Sequence, residues 1–190
     1  SDKMSSELGY YVINVITGFL FITSSKEETM EIVLLAVGTN DLAEFKEEMQ
    51  RAFQKGYENT YGETEQVVLP EQDIDSLLDT EGAVAYKAVI GSKMVGDAVV
   101  VIDNKTQHNH LDLLFVKCGV QNRGIGAKIW SAIKKLHPET RVWETCTPCF
   151  EKRNVHFYVN VCGFHIVQHF TLQNPLPGKP EDFIGDGHEG

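Results

Sequence analysis

A glycine-rich stretch between an apolar run and an amphipathic run is the part of this sequence best suited to chemistry. It reads Gly119-Val-Gln-Asn-Arg-Gly-Ile-Gly126 and separates the apolar residues 111–116 from a helix predicted over 125–136. Glycines let a main chain approach a phosphate closely, and the first N–H groups of a helix point at it with the helix dipole behind them. Arg123 and Lys128 add positive charge. The stretch therefore predicts an anion site.

Two widespread phosphate motifs do not fit this stretch. Gly119 and Gly124 have the glycine spacing of a nucleotide P-loop, but Ile125 stands where that motif requires lysine. Gly124 and Gly126 could begin a dinucleotide-binding motif, but residue 129 is isoleucine and not the third glycine. A tight turn whose glycines only allow a helix to pack is the remaining alternative to an anion site.

The residues around the glycines match the signature of a known enzyme family. Val116, Gln121, Gly124 and Gly126 fit the pattern V-x-x-x-x-[QR]-x-x-G-x-[GA], which resembles the cofactor motif of GNAT acyltransferases. The order of predicted elements from residue 30 to residue 170 is similar too. A second set of residues looks like the other signature of that family: Asn154, Phe157, Tyr158, Gly163 and Phe164.

This resemblance implies an N-acetyltransferase that uses acetyl-CoA as co-substrate. Main-chain N–H groups of 121–126 would bind the CoA pyrophosphate, and the pantetheine arm would lie between strands 111–116 and 141–145. An N–H near Phe115 would polarise the thioester carbonyl, and Tyr158 would protonate the departing thiolate. The implied cofactor-binding residues are Phe115, Val116, Gln121, Asn122, Arg123, Gly124, Ile125, Gly126, Ala127 and Asn154.

One spacing departs from the family pattern. The family tyrosine stands four residues before the glycine of the Gly-Phe pair, whereas Tyr158 stands five residues before Gly163. The strict position falls on Val159, which cannot donate a proton. Either the end of the helix carries an extra residue, or Tyr158 is displaced into the core beside Phe157.

An attacking amine is mostly protonated at neutral pH, so a base must accept its proton, directly or through water. His110 and Asp112 alternate along one predicted strand, which places both on one face. His110 stands where some members of the family carry a glutamate, and histidine titrates near neutrality. Glu144 on the neighbouring predicted strand is the other candidate. The predicted catalytic residues are therefore Tyr158, His110 and Glu144.

The elements that must position these residues make an α/β (α+β) fold of the GNAT type. We expect a central mixed, mostly antiparallel sheet with splayed strands and with helices on both faces. Apolar runs and helical periodicity mark the elements. The predicted strands are 31–37, 83–90, 94–102, 111–116, 141–145 and 164–170, and the predicted helices are 42–56, a short one near 74–78, 125–136 and 151–160.

Residues 30–170 are expected to form the acyltransferase domain. Residues 1–29 comprise what looks like a tag remnant ahead of Met4 and an accessory extension, whose alternating apolar residues from Tyr10 onward allow a strand. The apolar stretch 10–22 is too short for a membrane span and lacks the features of a signal peptide. Residues 171–190 are expected to be a tail.

The composition limits the classes of partner. The chain has 190 residues and a net charge of −10, which argues against nucleic acid, since such binding depends on Lys and Arg. We expect a cytoplasmic protein with reduced cysteines, no membrane contact and no metal, and a homodimer is left open. The stretch Cys146-Thr-Pro-Cys149 allows a redox pair or half of a metal site as a minor alternative.

The sequence thus predicts acetyl transfer from acetyl-CoA to a primary amine by direct attack in a ternary complex. The alternative is a non-catalytic acyl-CoA-binding or regulatory module that keeps the pyrophosphate site and has lost the chemistry. The acceptor is a small molecule or peptide amine, and the loop 57–82 would contribute to its recognition. Acidic residues there favour a cationic amine: Glu58, Glu63, Glu65, Glu71, Asp73 and Asp75.

Overall fold

The computed structural model describes residues 9–16, 31–117, 119–120, 124–171 and 174. These residues fall into two compact units. The larger unit contains the described residues between 17 and 143, and the smaller unit contains those up to 16 and from 144 onward.

The sheet of the larger unit consists of antiparallel strands in the order β2-β3-β4-β5. Strand β4 is buried over a continuous run of residues, and the β3–β4 connection is the tight hairpin that the sequence predicts at Gly91 and Ser92. The strands are β2 (Val33–Ala36), β3 (Ala83–Ile90), β4 (Lys93–Val101) and β5 (His108–Val116).

Helices cover both faces of this sheet. Helices α1 (Leu42–Tyr61) and α2 (Glu71–Leu78) pack on one face, where a buried cluster joins them to three strands: Phe45, Met49, Leu69, Ile74, Ala85, Val99 and Phe115. Helix α3 (Ile125–Leu136) buries an apolar stripe that includes Ile129 and Trp130. Gly96 of β4 lies beside Ile129 of α3, and the next residue, Asp97, points to the other face of the sheet. Helix α3 therefore packs on the face opposite to α1 and α2.

Helix α1 is longer than the sequence predicts. The prediction that Gly56 ends this helix is wrong, since the helix continues to Tyr61. It ends before Gly62, whose φ of +99° suits glycine and whose N–H donates to the carbonyl oxygen of Glu58. A glycine inside a helix costs only about 1 kcal/mol relative to alanine, which the packing of Phe45 and Met49 outweighs.

The strands of the smaller unit are in the order β6-β1-β7, and β6 begins in the larger unit. They are β6 (Val142–Pro148), β1 (Gly9–Ile16) and β7 (His165–Thr171). The alternation near Tyr10 therefore does form a strand, and β1 pairs antiparallel with β7. Between β6 and β7 lie a short helix, α4 (Lys152–His156), and a π-helical turn (Phe157–Val161).

These units confirm the predicted α/β class, with mostly antiparallel strands and helices on both faces of the larger sheet. The helix predicted over 151–160 is divided into α4 and the π turn, and the strand predicted from Leu111 begins three residues earlier, at His108. Among the described residues, no helix combines the length and apolar character that a membrane span requires. The predicted boundaries at 29/30 and 170/171 stay predictions.

Candidate active site

The connection from β5 to α3 contains two glycines in the left-handed region of backbone space. Gly119 has a φ of +89° and Gly124 a φ of +67°. Other L-residues adopt such angles only with strain, so these two positions favour glycine for conformational reasons. Space is not the reason, because no atom lies within 4 Å of a Cβ built at either position. Between them, Gln121, Asn122 and Arg123 lie outside the described residues.

Helix α3 begins directly after Gly124 without a side-chain cap from any described residue. Its first main-chain hydrogen bond runs from the N–H of Lys128 to the carbonyl oxygen of Gly124, at 3.1 Å. The N–H groups of Ile125, Gly126 and Ala127 precede that bond, and no acidic side chain stands in the first turn. A helix start of this kind keeps its full positive potential and attracts anions.

The strand that leads into this turn is firmly paired. Phe115 lies opposite Asp97 of β4, and Val116 lies opposite Gly96. The N–H of Lys117 continues the pairing, since it donates to the carbonyl oxygen of Val95 at 2.9 Å. The buried ring of Phe115 packs in an edge-to-face arrangement with Phe53, with 6.2 Å between their centroids. This packing fixes the main chain of Phe115, which the sequence predicts as the oxyanion donor.

A bulge in β5 changes the predicted relation between His110 and Asp112. Val99 of β4 lies opposite Leu113, and the next residue, Val100, lies opposite Leu111, so Asp112 is an extra residue in the ladder. Simple alternation therefore does not extend from His110 to Asp112. The ring of His110 stacks instead on that of His108, with 5.5 Å between centroids and an interplanar angle of 3°.

In the smaller unit, the π turn holds Tyr158 against β6. The Tyr158 and Thr145 hydroxyl groups share a hydrogen bond, and Thr145 is 3% exposed. The Tyr158 ring packs edge-to-face with Phe157 and Phe164. Burial raises the pKa of Tyr158 above the ordinary value, Cys162 adds to the rise, and the hydrogen bond to Thr145 acts against it. Tyr158 is thus a neutral phenol at physiological pH.

The π turn also accounts for the unusual spacing between Tyr158 and Gly163. The N–H of Cys162 donates to the carbonyl oxygen of Phe157, five residues earlier, at 2.9 Å. A π turn contains one more residue than the α-helical turn it replaces. The end of the helix therefore does carry an extra residue, as the first of the two explanations requires. Val159 faces different surroundings, since it lines an open groove of about 410 Å³.

The two other predicted residues of the smaller unit are more accessible. Glu144 is half-buried in β6, and Asn154 is exposed on α4. Among the described residues, three cysteines form no disulfide: Cys146, Cys149 and Cys162.

Comparison with known proteins decides the family. A family model described as "Acetyltransferase (GNAT) family" matches residues 43–164, which include β5, the glycine turn, α3 and Tyr158. The chain belongs to the GNAT acetyltransferase family. It is also 40% identical over 148 residues to "Uncharacterized protein YrkN" of Bacillus subtilis (strain 168), covering 77% of this chain and 80% of that protein.

Solved structures of GNAT acetyltransferases share the fold. An aminoglycoside acetyltransferase, meta-AAC0020, from an uncultured soil metagenomic sample is 18% identical, with a TM-score of 0.52, over 76% of this chain and 97% of that one. The putative acetyltransferase YycN of Bacillus subtilis is 11% identical, with a TM-score of 0.57, over 72% and 94%. The spermidine N-acetyltransferase of Vibrio cholerae is 11% identical, with a TM-score of 0.55, over 74% and 84%.

Two structurally important residues of this GNAT chain were not predicted from the sequence. A Cβ at Gly96 would collide with the carbonyl oxygen of Phe115 and lie 2.9 Å from Cδ1 of Ile129, so only glycine lets β5 and α3 lie this close to β4. Its signal was a glycine inside a strand pattern, which often marks a close approach. The second residue, Asp97, is a fully buried carboxylate next to it. Its signal was a single charge within an apolar run.

The acidic residues predicted to favour a cationic amine are partly neutralised. Lys46 of α1 forms ion pairs with Glu71 and with Asp75 of α2, and these carboxylates raise the pKa of Lys46. Glu58 accepts a 3.0 Å hydrogen bond from the Gln54 amide. Because the one positive charge of Lys46 lies beside two carboxylates, the negative charge around 57–82 is smaller by one than the sequence of that segment alone suggests.

Proposed function

We propose that this protein is an acetyl-CoA-dependent N-acetyltransferase that acts on a primary amine. The observation that carries the proposal is the start of α3, where uncapped N–H groups follow a left-handed glycine and no acidic side chain opposes a bound anion. Membership of the GNAT acetyltransferase family gives that anion an identity, the pyrophosphate of coenzyme A. Gly124, Ile125, Gly126 and Ala127 would hold it, together with Gln121, Asn122 and Arg123.

The chemical step needs three functions from the chain. Acetyl-CoA would supply an activated acetyl thioester when bound. The main-chain N–H of Phe115 would donate to the thioester carbonyl oxygen as negative charge develops on it. As the amine nitrogen bonds to the carbonyl carbon and the C–S bond breaks, Tyr158 would give its proton to the sulfur, and either His110 or Glu144 would accept the proton that the amine loses.

Tyr158 is suited to the role of acid. Its raised pKa keeps the phenol protonated throughout the physiological range, so a proton is always present for the thiolate. The Thr145 hydroxyl orients the phenol oxygen, and the rings of Phe157 and Phe164 fix its plane. Val116 would pair with the pantetheine arm, and Asn154 would hydrogen-bond the cofactor or the neighbouring strand.

A small cationic amine is the acceptor class we favour. The chain carries a net charge of −10, which attracts cations, and it has the fold of an aminoglycoside acetyltransferase and of a spermidine N-acetyltransferase whose structure contains CoA and spermine. Polyamines and aminoglycosides carry several primary amines, so they are the first acceptors to test. We place the reaction in the cytoplasm, where acetyl-CoA is available.

The test combines cofactor binding with turnover. Full-length protein is incubated with acetyl-CoA and a panel of spermidine, aminoglycosides, small amines and peptide N-termini, and release of free thiol is followed. Thermal stabilisation by CoA together with amine-dependent thiol release would support the proposal. Stabilisation without turnover on any acceptor would favour the non-catalytic module, and absence of CoA binding at millimolar concentration would exclude both.

A further inference from the structure

Asp97 is a buried acidic residue that the proposed chemistry does not use. It lies in the middle of β4, is 0% exposed, and neither carboxylate oxygen has a hydrogen-bond partner among the described residues. Across the ladder its neighbours are Lys87 of β3 and Phe115 of β5. A buried carboxylate without partners is costly, and such groups in folded proteins call for a functional explanation.

Three charged side chains act electrostatically on Asp97, namely Glu48, Lys87 and Lys117, and Glu44 pairs with Lys87. Glu44 and Glu48 come from α1, Lys87 comes from β3, and Lys117 follows β5 directly. The Lys87 ammonium lies 3.2 Å from Glu44, and the Lys117 ammonium lies 3.3 Å from Glu48, whose other carboxylate oxygen is buried without a partner among the described residues. When all five groups are ionised, three carboxylates therefore face two lysines.

The surroundings of Asp97 bring the pKa of its carboxyl group close to neutral pH. Burial raises the pKa of Asp97 to about 7, the Glu48 carboxylate adds to the rise, and Lys87 and Lys117 act against it. At the pH of a cell, the charge of this group therefore responds to small changes in the local electrostatic potential.

Lys117 is the member of this cluster that lies nearest in sequence to the predicted cofactor site. Its N–H is bonded to Val95, so its main chain is fixed beside β4, while its side chain is 47% exposed and extends to Glu48. It is also the first residue after Val116, at the entry to the glycine turn that leads to α3. Phosphate groups bound at that turn would compete with Glu48 and Asp97 for the Lys117 ammonium.

We propose that Asp97 is a proton-linked positioning residue for the cofactor strand, which takes up a proton from solvent when the phosphates of coenzyme A bind at the start of α3. The inference rests on the proposed function, because it assigns the anion at α3 to coenzyme A. Bound phosphates add negative potential and draw Lys117 away, and both effects favour the neutral carboxylic acid at Asp97. By reciprocity, protonation of Asp97 strengthens cofactor binding.

The test is isothermal titration of the full chain at pH 7.5 in buffers that differ in ionisation enthalpy. The probe is 3′-dephospho-CoA, because the 3′-phosphate of CoA titrates near this pH and would add its own protons. If bound phosphate raises the pKa of Asp97 by one unit, the wild type takes up about 0.5 proton on binding. We expect Asp97→Asn to abolish this uptake, and the exposed Asp79→Asn, as matched control, to retain it.

Lys117→Gln tests the same link while leaving the Asp97 side chain in place, with the exposed Lys93→Gln as its control. Lys117→Gln should weaken binding severalfold and reduce the proton uptake. Binding of the probe with no dependence on the buffer, or with equal uptake in wild type and in either Asp97→Asn or Lys117→Gln, would overturn the inference alone. No binding of the probe or of CoA to the wild type would instead overturn the proposed function.

The stability of Asp97→Asn gives an independent check that needs no ligand. A carboxyl group whose pKa is raised on folding contributes stability that is lost as the pH rises through its folded value, about 7 for Asp97. Wild type should therefore lose thermal stability between pH 5 and pH 8, and Asp97→Asn, which stays neutral, should lose less. The same loss in both proteins would show that Asp97 is not the titrating group.

Discussion

The start of α3 and the π turn after α4 carry their predicted functions with different parts of the chain. At α3, main-chain N–H groups following Gly124 would form the proposed anion site, and the side chains of Ile125 and Ile129 only hold the helix on the sheet. At the π turn, a single phenol oxygen of Tyr158 would carry the proposed function, and the hydroxyl of Thr145 holds it in place.

This difference predicts different responses to substitution. A main-chain site should tolerate many side-chain changes and should respond mainly to altered charge or backbone geometry. A side-chain site should lose its function when one atom is removed, even though the fold stays intact. Variants at the α3 site should therefore change charge or backbone geometry, and variants at the π turn should change the phenol. Four variants, from the largest to the smallest expected effect, test this difference between the two sites.

The largest effect should come from Tyr158→Phe, which removes only the phenol oxygen. Loss of a general acid typically lowers the rate by 10²–10⁴-fold, so we expect kcat to fall about 100-fold with little change in the KM for acetyl-CoA. Because the pKa of Tyr158 lies above the ordinary value, wild-type activity should show no loss from its ionisation up to pH 9. An unchanged kcat would exclude Tyr158 as the acid.

Ala127→Asp should separate binding from folding at the start of α3. An acidic residue in a first helical turn stabilises the helix, by about 0.3–1 kcal/mol, yet its charge opposes a bound phosphate. We expect an unchanged or higher melting temperature together with a roughly tenfold weaker affinity for CoA. Ser131→Asp, exposed in the middle of the same helix, is the matched control and should bind CoA like the wild type. Equal affinity in all three proteins would contradict a phosphate site at Ala127.

Gly124→Ala should have a smaller effect, through backbone geometry alone. The space around the added Cβ is open, but the left-handed φ costs a non-glycine residue about 1–2 kcal/mol. Thermal unfolding should show a loss of about that size, and CoA affinity should fall severalfold. Gly124→Asn serves as the comparison, since asparagine tolerates this conformation better. Equal losses in both variants would point to a cause other than the φ angle.

The smallest effect should come from deletion of Asn160, an exposed residue of the π turn. The deletion restores the family spacing between Tyr158 and Gly163 and should convert the π turn to an α-helical one. We expect Tyr158 to keep its place and activity to stay within about fivefold of wild type. A loss as large as that of Tyr158→Phe would show that the extra residue is needed to position the phenol.

The sequence predicted α3, whose apolar stripe runs from Ile125 to Leu136, because several local signals agree there. The apolar stripe has helical period, the glycine precedes it, and Pro138 follows its end. The hairpin at Gly91 was predicted for the same reason. The predicted end of α1 was wrong because one glycine, Gly56, does not end a helix that packs well. The packing of α1 against the core outweighs the unfavourable helix propensity of that residue.

The remaining differences arise from contacts between residues distant in sequence. The bulge at Asp112 exists only through the pairing of β5 with β4, and the π turn only through the position of Tyr158 against Thr145. Asn109, which precedes the predicted strand 111–116, lies in β5 because its buried amide donates to Thr140 and accepts from the N–H of Asp103. None of these contacts produces a periodic pattern of residues by which the sequence could predict it.

By itself, the sequence determined the class of fold, the family signature around Val116 and Gly124, and the order of the elements that carry them. Local backbone preferences and hydrophobic periodicity suffice for these features, since each depends on residues within one turn or one strand. Tertiary structure alone decided that Gly96 underlies α3, that Tyr158 contacts Thr145, and that Asp97 is buried among charges of α1, β3 and the end of β5. Burial and electrostatic potential are sums over neighbours in space, and the linear order of residues does not specify those neighbours.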